Sequence, residues 1–138
     1  MNLPWPFSRL RSASRTRSET RRTGDWGETL AARHLQHKGY RILGRNVRFG
    51  SRCELDLVAR SPAPEVLVFV EVKTRRNEAF GRPASAVDRN KRRVLGRAAR
   101  RYLRRLKVQP ARIRFDVVEV IGSPDHPDPE IRHIENAF

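Results

Sequence analysis
The stretch Val66-Leu67-Val68-Phe69-Val70-Glu71-Val72-Lys73-Thr74 decides how this chain is to be read. It is apolar and largely β-branched, which predicts a buried strand. Its end is different: an acid and a base stand two positions apart. Side chains two apart on a strand share a face, so Glu71 and Lys73 sit side by side. That pair can be a plain salt bridge or half of a metal-dependent hydrolytic site.

The preceding segment bears on the choice. Cys53 to Arg60 predicts a second strand, with Cys53, Leu55, Leu57 and Ala59 alternating against Glu54, Asp56 and Val58. Ser61 to Glu65 holds two prolines and reads as a turn. A hairpin turning between Ala63 and Pro64 sets Asp56 opposite Glu71 and Glu54 opposite Lys73. Two carboxylates about 4 Å apart repel by about 4 kcal/mol at an effective dielectric near 20. A divalent cation between them converts that repulsion into ligation. Tyr40 to Phe49 predicts the first strand, with Gly44 as a weak point or bulge, and Gly50-Ser51-Arg52 is the turn after it.

Asp25 to Lys38 predicts a helix stopped by Gly39. Trp26, Leu30, Ala31, His34 and Leu35 share its apolar face, and Glu28 lies on the border of that face. Glu28 has two readings: a capping box with Asp25, or a carboxylate set at the edge of the core. His34 reads as helix packing and His37 as surface. Residues 1–22 carry six arginines among Ser and Thr with Glu19 as the sole acid, a pattern expected of a disordered basic arm. Trp5 stands between Pro4 and Pro6, and Phe7 follows them.

After the central strand, Arg75 and Arg76 open a basic loop. Ser85 to Leu106 predicts a second helix whose buried stripe is Val94, Leu95, Ala98, Ala99, Tyr102, Leu103 and Leu106. Its other face carries Arg89, Lys91, Arg92, Arg93, Arg97, Arg100, Arg101, Arg104 and Arg105, opposed only by Asp88. A nearly single-signed face suits a phosphate backbone. Arg112 to Ile121 predicts a fourth strand, residues 122–129 a turn region, and Ile131 to Phe138 a short edge strand or docked tail.

The whole composition agrees with a polyanionic partner. The 138 residues hold 30 Lys and Arg against 15 Asp and Glu, a net charge of +15. Nucleic acid is the expected partner. Cys53 is the only cysteine, which excludes an internal disulfide and a cysteine zinc site and fits a cytoplasmic setting. No apolar run reaches the roughly 18 residues of a membrane span, so no membrane partner is expected.

Glu28, Asp56, Glu71 and Lys73 are therefore the candidate catalytic residues. Asp56 and Glu71 are candidate ligands of Mg²⁺ or Mn²⁺, with Glu28 completing the shell directly or through water. Lysine is rare here, four residues against 26 arginines left among the 30 basic residues. A tunable point charge at position 73 is thus a specific choice. The basic candidates for nucleic-acid contact are Arg75, Arg76, Lys91, Arg92, Arg93, Arg97, Arg100 and Arg104.

This order of helix Glu, strand Asp and strand Glu-x-Lys resembles the PD-(D/E)xK nuclease superfamily and, within it, archaeal Holliday-junction resolvases. More closely, the chain resembles the bacterial YraN-like family. The matching stretches are Gly24 to Tyr40, Glu54 to Ala59, Phe69 to Arg75, Ala86-Val87 with Lys91, Arg114 to Val118, and His133 to Phe138. The resemblance implies an α/β, restriction-endonuclease-like fold over residues 23–138, with a mixed central sheet flanked by helices. It implies a metal-dependent endonuclease acting on DNA, branched or otherwise structured. The alternative is a nucleic-acid-binding protein that keeps the fold without turnover. Resolvase-like relatives act as dimers, which implies a homodimer. Two positions depart from the pattern: Leu55 replaces the superfamily's proline, and Cys53 stands where the family usually has glycine.

Overall fold
The computed structural model describes residues 17–62, 65–76, 88–125 and 128–138. Helix α1 (Arg17–His37) leads into strands β1 (Arg41–Phe49), β2 (Cys53–Arg60) and β3 (Leu67–Arg75). Helix α2 (Arg89–Arg104) then crosses to β4 (Ile113–Ile121), and β5 (Glu130–Ile134) closes the sheet. The strands lie in the order β1-β2-β3-β4-β5. Three neighbouring pairs are antiparallel and β3 with β4 is parallel. A parallel pair requires a crossover between its strands, and α2 is that crossover. The fold is α/β with a mixed sheet flanked by helices, as expected. No helix among the described residues is long and apolar enough to cross a membrane.

Each face of the sheet buries one helix. Ala31 and Leu35 of α1 pack on Leu57, Ala59, Val68, Val70, Val118 and Val120, with Trp26 and Leu30 extending the layer. Leu95, Ala98 and Ala99 of α2 pack on Val58, Leu67 and Phe69. The period-two alternation of β3 thus serves two cores, which is why the strand reads as a nearly continuous apolar run.

Three details differ from the sequence expectation. Helix α1 begins at Arg17, so residues 17–22 of the expected arm are helical; residues 1–16, with Trp5 and Phe7, lie outside the described residues. Glu19 sits in the first turn, where a carboxylate favours the helix dipole, and the Thr23 hydroxyl donates back to the Glu19 carbonyl at 2.9 Å. Helix α2 is capped at Asp88, whose carboxylate accepts from the Lys91 N–H at 2.8 Å, and it ends at Arg104, short of the expected Leu106; residues 85–87 of the expected span lie outside the described residues. Finally, Cys53 and Leu55 do not share a face with Leu57 and Ala59. They pack in the α2 layer, whereas Leu57 and Ala59 pack in the α1 layer. The cause lies across the pair in β1, where Asn46 adopts a left-handed φ of 49°. Before it, Arg45 points to Thr29 of α1; after it, Val47 joins the α2 layer. The expected irregularity at Gly44 is present as a register shift between Ile42 and Gly44.

Helix α1 crosses the end of β3 at Gly27. A Cβ built there falls on the Thr74 hydroxyl and lies 3.2 Å from the Thr74 Cβ. Gly→Ala inside a helix ordinarily gains about 1 kcal/mol. Gly27→Ala is expected to reverse that sign and cost about 1–3 kcal/mol by overpacking. The check is a thermal melt, in which Thr74→Gly in the same chain recovers part of the loss.

Candidate functional site
The β2–β3 ladder runs from Arg60↔Leu67 to Leu57↔Val70. That is the expected hairpin register, and its next position sets Asp56 against Glu71. There the regular backbone pairing stops. Asp56 Oδ2 instead accepts from the Val72 N–H at 2.8 Å. A side chain thereby satisfies a strand donor and is held at the mouth of the opening between the strands.

The two carboxyl groups are crowded. Burial pushes the Asp56 pKa from 3.8 up to about 8, reinforced by the negative charge of Glu71 and more weakly by that of Glu28. The Val72 N–H opposes the shift, and the closeness of the Glu71 carboxyl adds to it. Glu71 is 8% exposed. Its Oε1 meets Lys91 Nζ of α2 at 3.3 Å, while its Oε2 is buried with no partner.

Glu28 stands nearby on α1. Because α1 starts at Arg17, Asp25 and Glu28 are interior to the helix and form no capping box. Burial raises the Glu28 pKa, with Asp25 and Glu54 adding to the effect and Asn46 and Arg45 opposing it. Its Oε2 is also buried without a partner. The left-handed Asn46, where the faces of β1 and β2 switch, thus stands close to Glu28.

Lys73 lies on β3 two residues past Glu71, half-buried, and forms no ion pair with a described residue. The simple Glu71–Lys73 salt bridge is not formed; Lys91 takes the Glu71 oxygen. In the parallel register Lys73 pairs with Glu119 of β4. Glu119 is 3% exposed, with Oε1 buried and unpartnered. Sequence reasoning passed over Glu119, because it sits in an ordinary alternating strand. Only the β3–β4 register brings it beside Lys73.

Among the described residues, no three His, Cys, Asp or Glu side chains form a group that could hold one ion. Asp56 and Glu71 form a pair, and Glu28 reaches it through its charge. A small hard cation of the Mg²⁺ class is commonly held by one or two carboxylates while keeping several waters. The pair, with its orphaned Glu71 oxygen, fits that requirement; Glu28 fits a role through water. Beside the pair opens a cleft of ≈ 390 Å³, lined by Arg48, Arg52, Glu54, Asp56 and Lys91 among others.

Arg92, Arg93, Arg97, Arg100 and Arg104 are all exposed on α2. Arg105 lies over the Phe49 ring at 4.4 Å, and Arg101 donates to the Phe49 carbonyl at 3.4 Å. Those two also tie the helix to the sheet. Arg75 and Arg76 are elsewhere, at the end of β3, where Arg76 lines a shallow groove with Arg22, Ser123 and Asp125.

A second polar cluster lies away from this site, and sequence reasoning missed it. Asp116 of β4 is fully buried. Arg114 grips it with two bonds of 2.8 Å, His133 Nε2 lies 2.7 Å away, and the Asn136 N–H donates at 2.9 Å. Arg114 also donates to the Tyr40 hydroxyl at 2.7 Å. Lys38 Nζ meets His133 Nδ1 at 2.7 Å. An ammonium only donates, so Nδ1 accepts, and the neutral ring carries its proton on Nε2 toward Asp116. Burial would raise the Asp116 pKa, but bonds from His133, Arg114 and Asn136 outweigh it and hold the pKa below 3.8. The Arg-x-Asp spacing in a strand was the available signal.

A five-stranded mixed sheet between two helices is consistent with a restriction-endonuclease-like fold, and the carboxylate pair lies where two of its strands part. The chain belongs to the uncharacterised protein family UPF0102, the YraN-like family, whose profile matches residues 27–120. It is 51% identical to a UPF0102 protein of Symbiobacterium thermophilum over 119 residues, covering 86% of this chain and 98% of that protein. It is 44% identical to a UPF0102 protein of Pelobacter propionicus over 126 residues, covering 91% and 89%. A UPF0102 protein of Geotalea daltonii is 43% identical over 123 residues, covering 88% and 93%.

Proposed function
We propose that the protein is a Mg²⁺- or Mn²⁺-dependent endonuclease that hydrolyses DNA phosphodiester bonds, with branched or structured DNA as its substrate class. The observation that carries this reading is the buried Asp56–Glu71 pair, held together at a strand opening with a Glu71 oxygen left unpartnered. A structural protein gains nothing from two acids forced together under a net charge of +15.

In this reading Asp56 and Glu71 hold the cation, and Glu28 orients a water at its edge. A cation at that seat supplies Lewis acidity toward a phosphoryl oxygen and a bound water of lowered pKa. The Val72 N–H fixes the Asp56 carboxyl, so the seat does not collapse when its charges change. Lys73 places an ammonium on the same strand face, where it meets negative charge developing on the phosphate. The arginines of α2 grip the backbone of the DNA. The experiment is a cleavage assay on duplex, single-stranded and junction DNA with Mg²⁺ or Mn²⁺. Metal-dependent cutting supports the reading, and no cutting of any substrate overturns it.

A second reading, a nucleic-acid-binding protein without turnover, is favoured by one observation: no three-ligand group exists among the described residues. It predicts the same DNA binding with no metal dependence. Both readings share an expectation for α2. Arg97→Ala with Arg100→Ala weakens binding to all sequences alike and lowers the slope of log K against log salt by about 2. Fluorescence anisotropy over a salt series measures it.

A further inference from the structure
Lys91 belongs to the basic face of α2 by sequence and to the carboxylate site by position. Its Nζ lies 3.3 Å from Glu71 Oε1, with its side chain 46% exposed and that of Glu71 only 9% exposed. The other oxygen of Glu71 is buried with no partner. Lys73, the nearer residue in sequence, leaves Glu71 to Lys91. Asp88 caps the Lys91 N–H at 2.8 Å, so the backbone is anchored, while among the described residues the long, half-exposed side chain is held only by Glu71. The same side chain lines the cleft that holds Arg48, Arg52 and Asp56.

We propose that Lys91 is a tethered cation that holds the Glu71 carboxylate until a divalent ion occupies it, and then turns into the cleft to take a phosphate of the nucleic acid. The proposal rests on the reading of Asp56 and Glu71 as a metal seat. The physical basis is competition. An ammonium on Oε1 and a divalent cation on the unpartnered Oε2 neutralise the same carboxylate, and two positive charges that close repel each other. Lysine suits the exchange, because its head is a compact point charge on a flexible four-carbon stem. Arg48 and Arg52 line the cleft into which the released ammonium turns. Metal loading thereby adds a positive charge where a phosphate enters. Lys91 is a positioning residue before binding and a substrate contact after it.

The test is calorimetric titration of Mn²⁺ into the full chain without DNA, comparing wild type, Lys91→Met and Lys91→Arg. Loss of the competing charge makes Lys91→Met bind Mn²⁺ at least about fivefold more tightly. Lys91→Arg keeps the charge and stays near wild type. In a parallel measurement with Ca²⁺, duplex DNA binding gains less from the metal in Lys91→Met than in wild type. Equal Mn²⁺ affinity in wild type and Lys91→Met overturns the role of Lys91 and leaves the metal seat standing. Equal tightening in Lys91→Met and Lys91→Arg also overturns it, because it reports a perturbed helix. Absence of Mn²⁺ binding by all three proteins overturns both the role and the seat.

Discussion

Asp56→Asn is expected to lower the proposed Mn²⁺-dependent DNA cleavage by about 10³-fold and, at the same time, to make the metal-free protein more stable. The two effects share one cause. Burial and the Glu71 charge raise the Asp56 pKa from 3.8 to about 8. The folded state therefore favours the protonated carboxyl. The stability this contributes is fully present below pH 3.8 and is lost as pH rises towards 8, because the unfolded chain gives up its proton earlier. Asparagine carries no charge, and its carbonyl oxygen still accepts from the Val72 N–H. The gain from the substitution is on the order of 2 kcal/mol at pH 8 and vanishes near pH 4. Thermal melts in EDTA at pH 5 and pH 8, beside the cleavage assay, measure both effects. Glu71→Gln is expected to lose the proposed cleavage to the same extent. A variant that is dead and also less stable at pH 8 contradicts the account, because it describes a broken scaffold.

Asp116→Ala costs about 3–5 kcal/mol, a large part of the roughly 5–15 kcal/mol that holds a domain folded. The substitution leaves Arg114 and His133 facing a hole, both with partners removed. It also frees the Asn136 N–H, which ties the segment after β5 to β4. Asp116→Asn is milder and reports the charge. The Asp116 pKa is held below 3.8, so its contribution is present above that pH and fades as pH falls through the lower folded value. The stability gap between wild type and Asp116→Asn is therefore full at pH 7 and closes below about pH 3.8. Denaturant titrations at pH 7 and pH 3 measure it, and a gap independent of pH contradicts the assigned bonds.

These two acids mark what could be read from the chain and what could not. Strand β3 was legible because both of its faces are buried and its apolar run has no competing reading. Asp56 was legible because a short hairpin fixes register, and register fixes who stands opposite Glu71. Glu28 was placed at the core's edge, but its capping alternative was removed only by the extra helical turns from Arg17. Their residues are charged and exposed, with no apolar period to announce a helix. Glu119 and Asp116 were out of reach for another reason. Their surroundings are made by β4 and β5, whose pairings join residues far apart in sequence, and no hairpin rule links β3 to β4. Lys91 was seen as a basic residue of α2, but its reach to Glu71 depends on how α2 packs across the sheet. The switch of faces at Asn46 is a single left-handed residue inside a strand, which alternation cannot foresee.

The central claim is that Asp56 and Glu71 form a seat for a divalent cation. A crystal structure from Mn²⁺-soaked crystals, with anomalous differences recorded, tests it most directly. The account predicts one strong peak between the two carboxyl groups, with oxygen distances of about 2.0–2.2 Å and Lys91 moved off Glu71. Absence of any peak between Asp56 and Glu71 at millimolar Mn²⁺, with Lys91 still on Glu71, contradicts it.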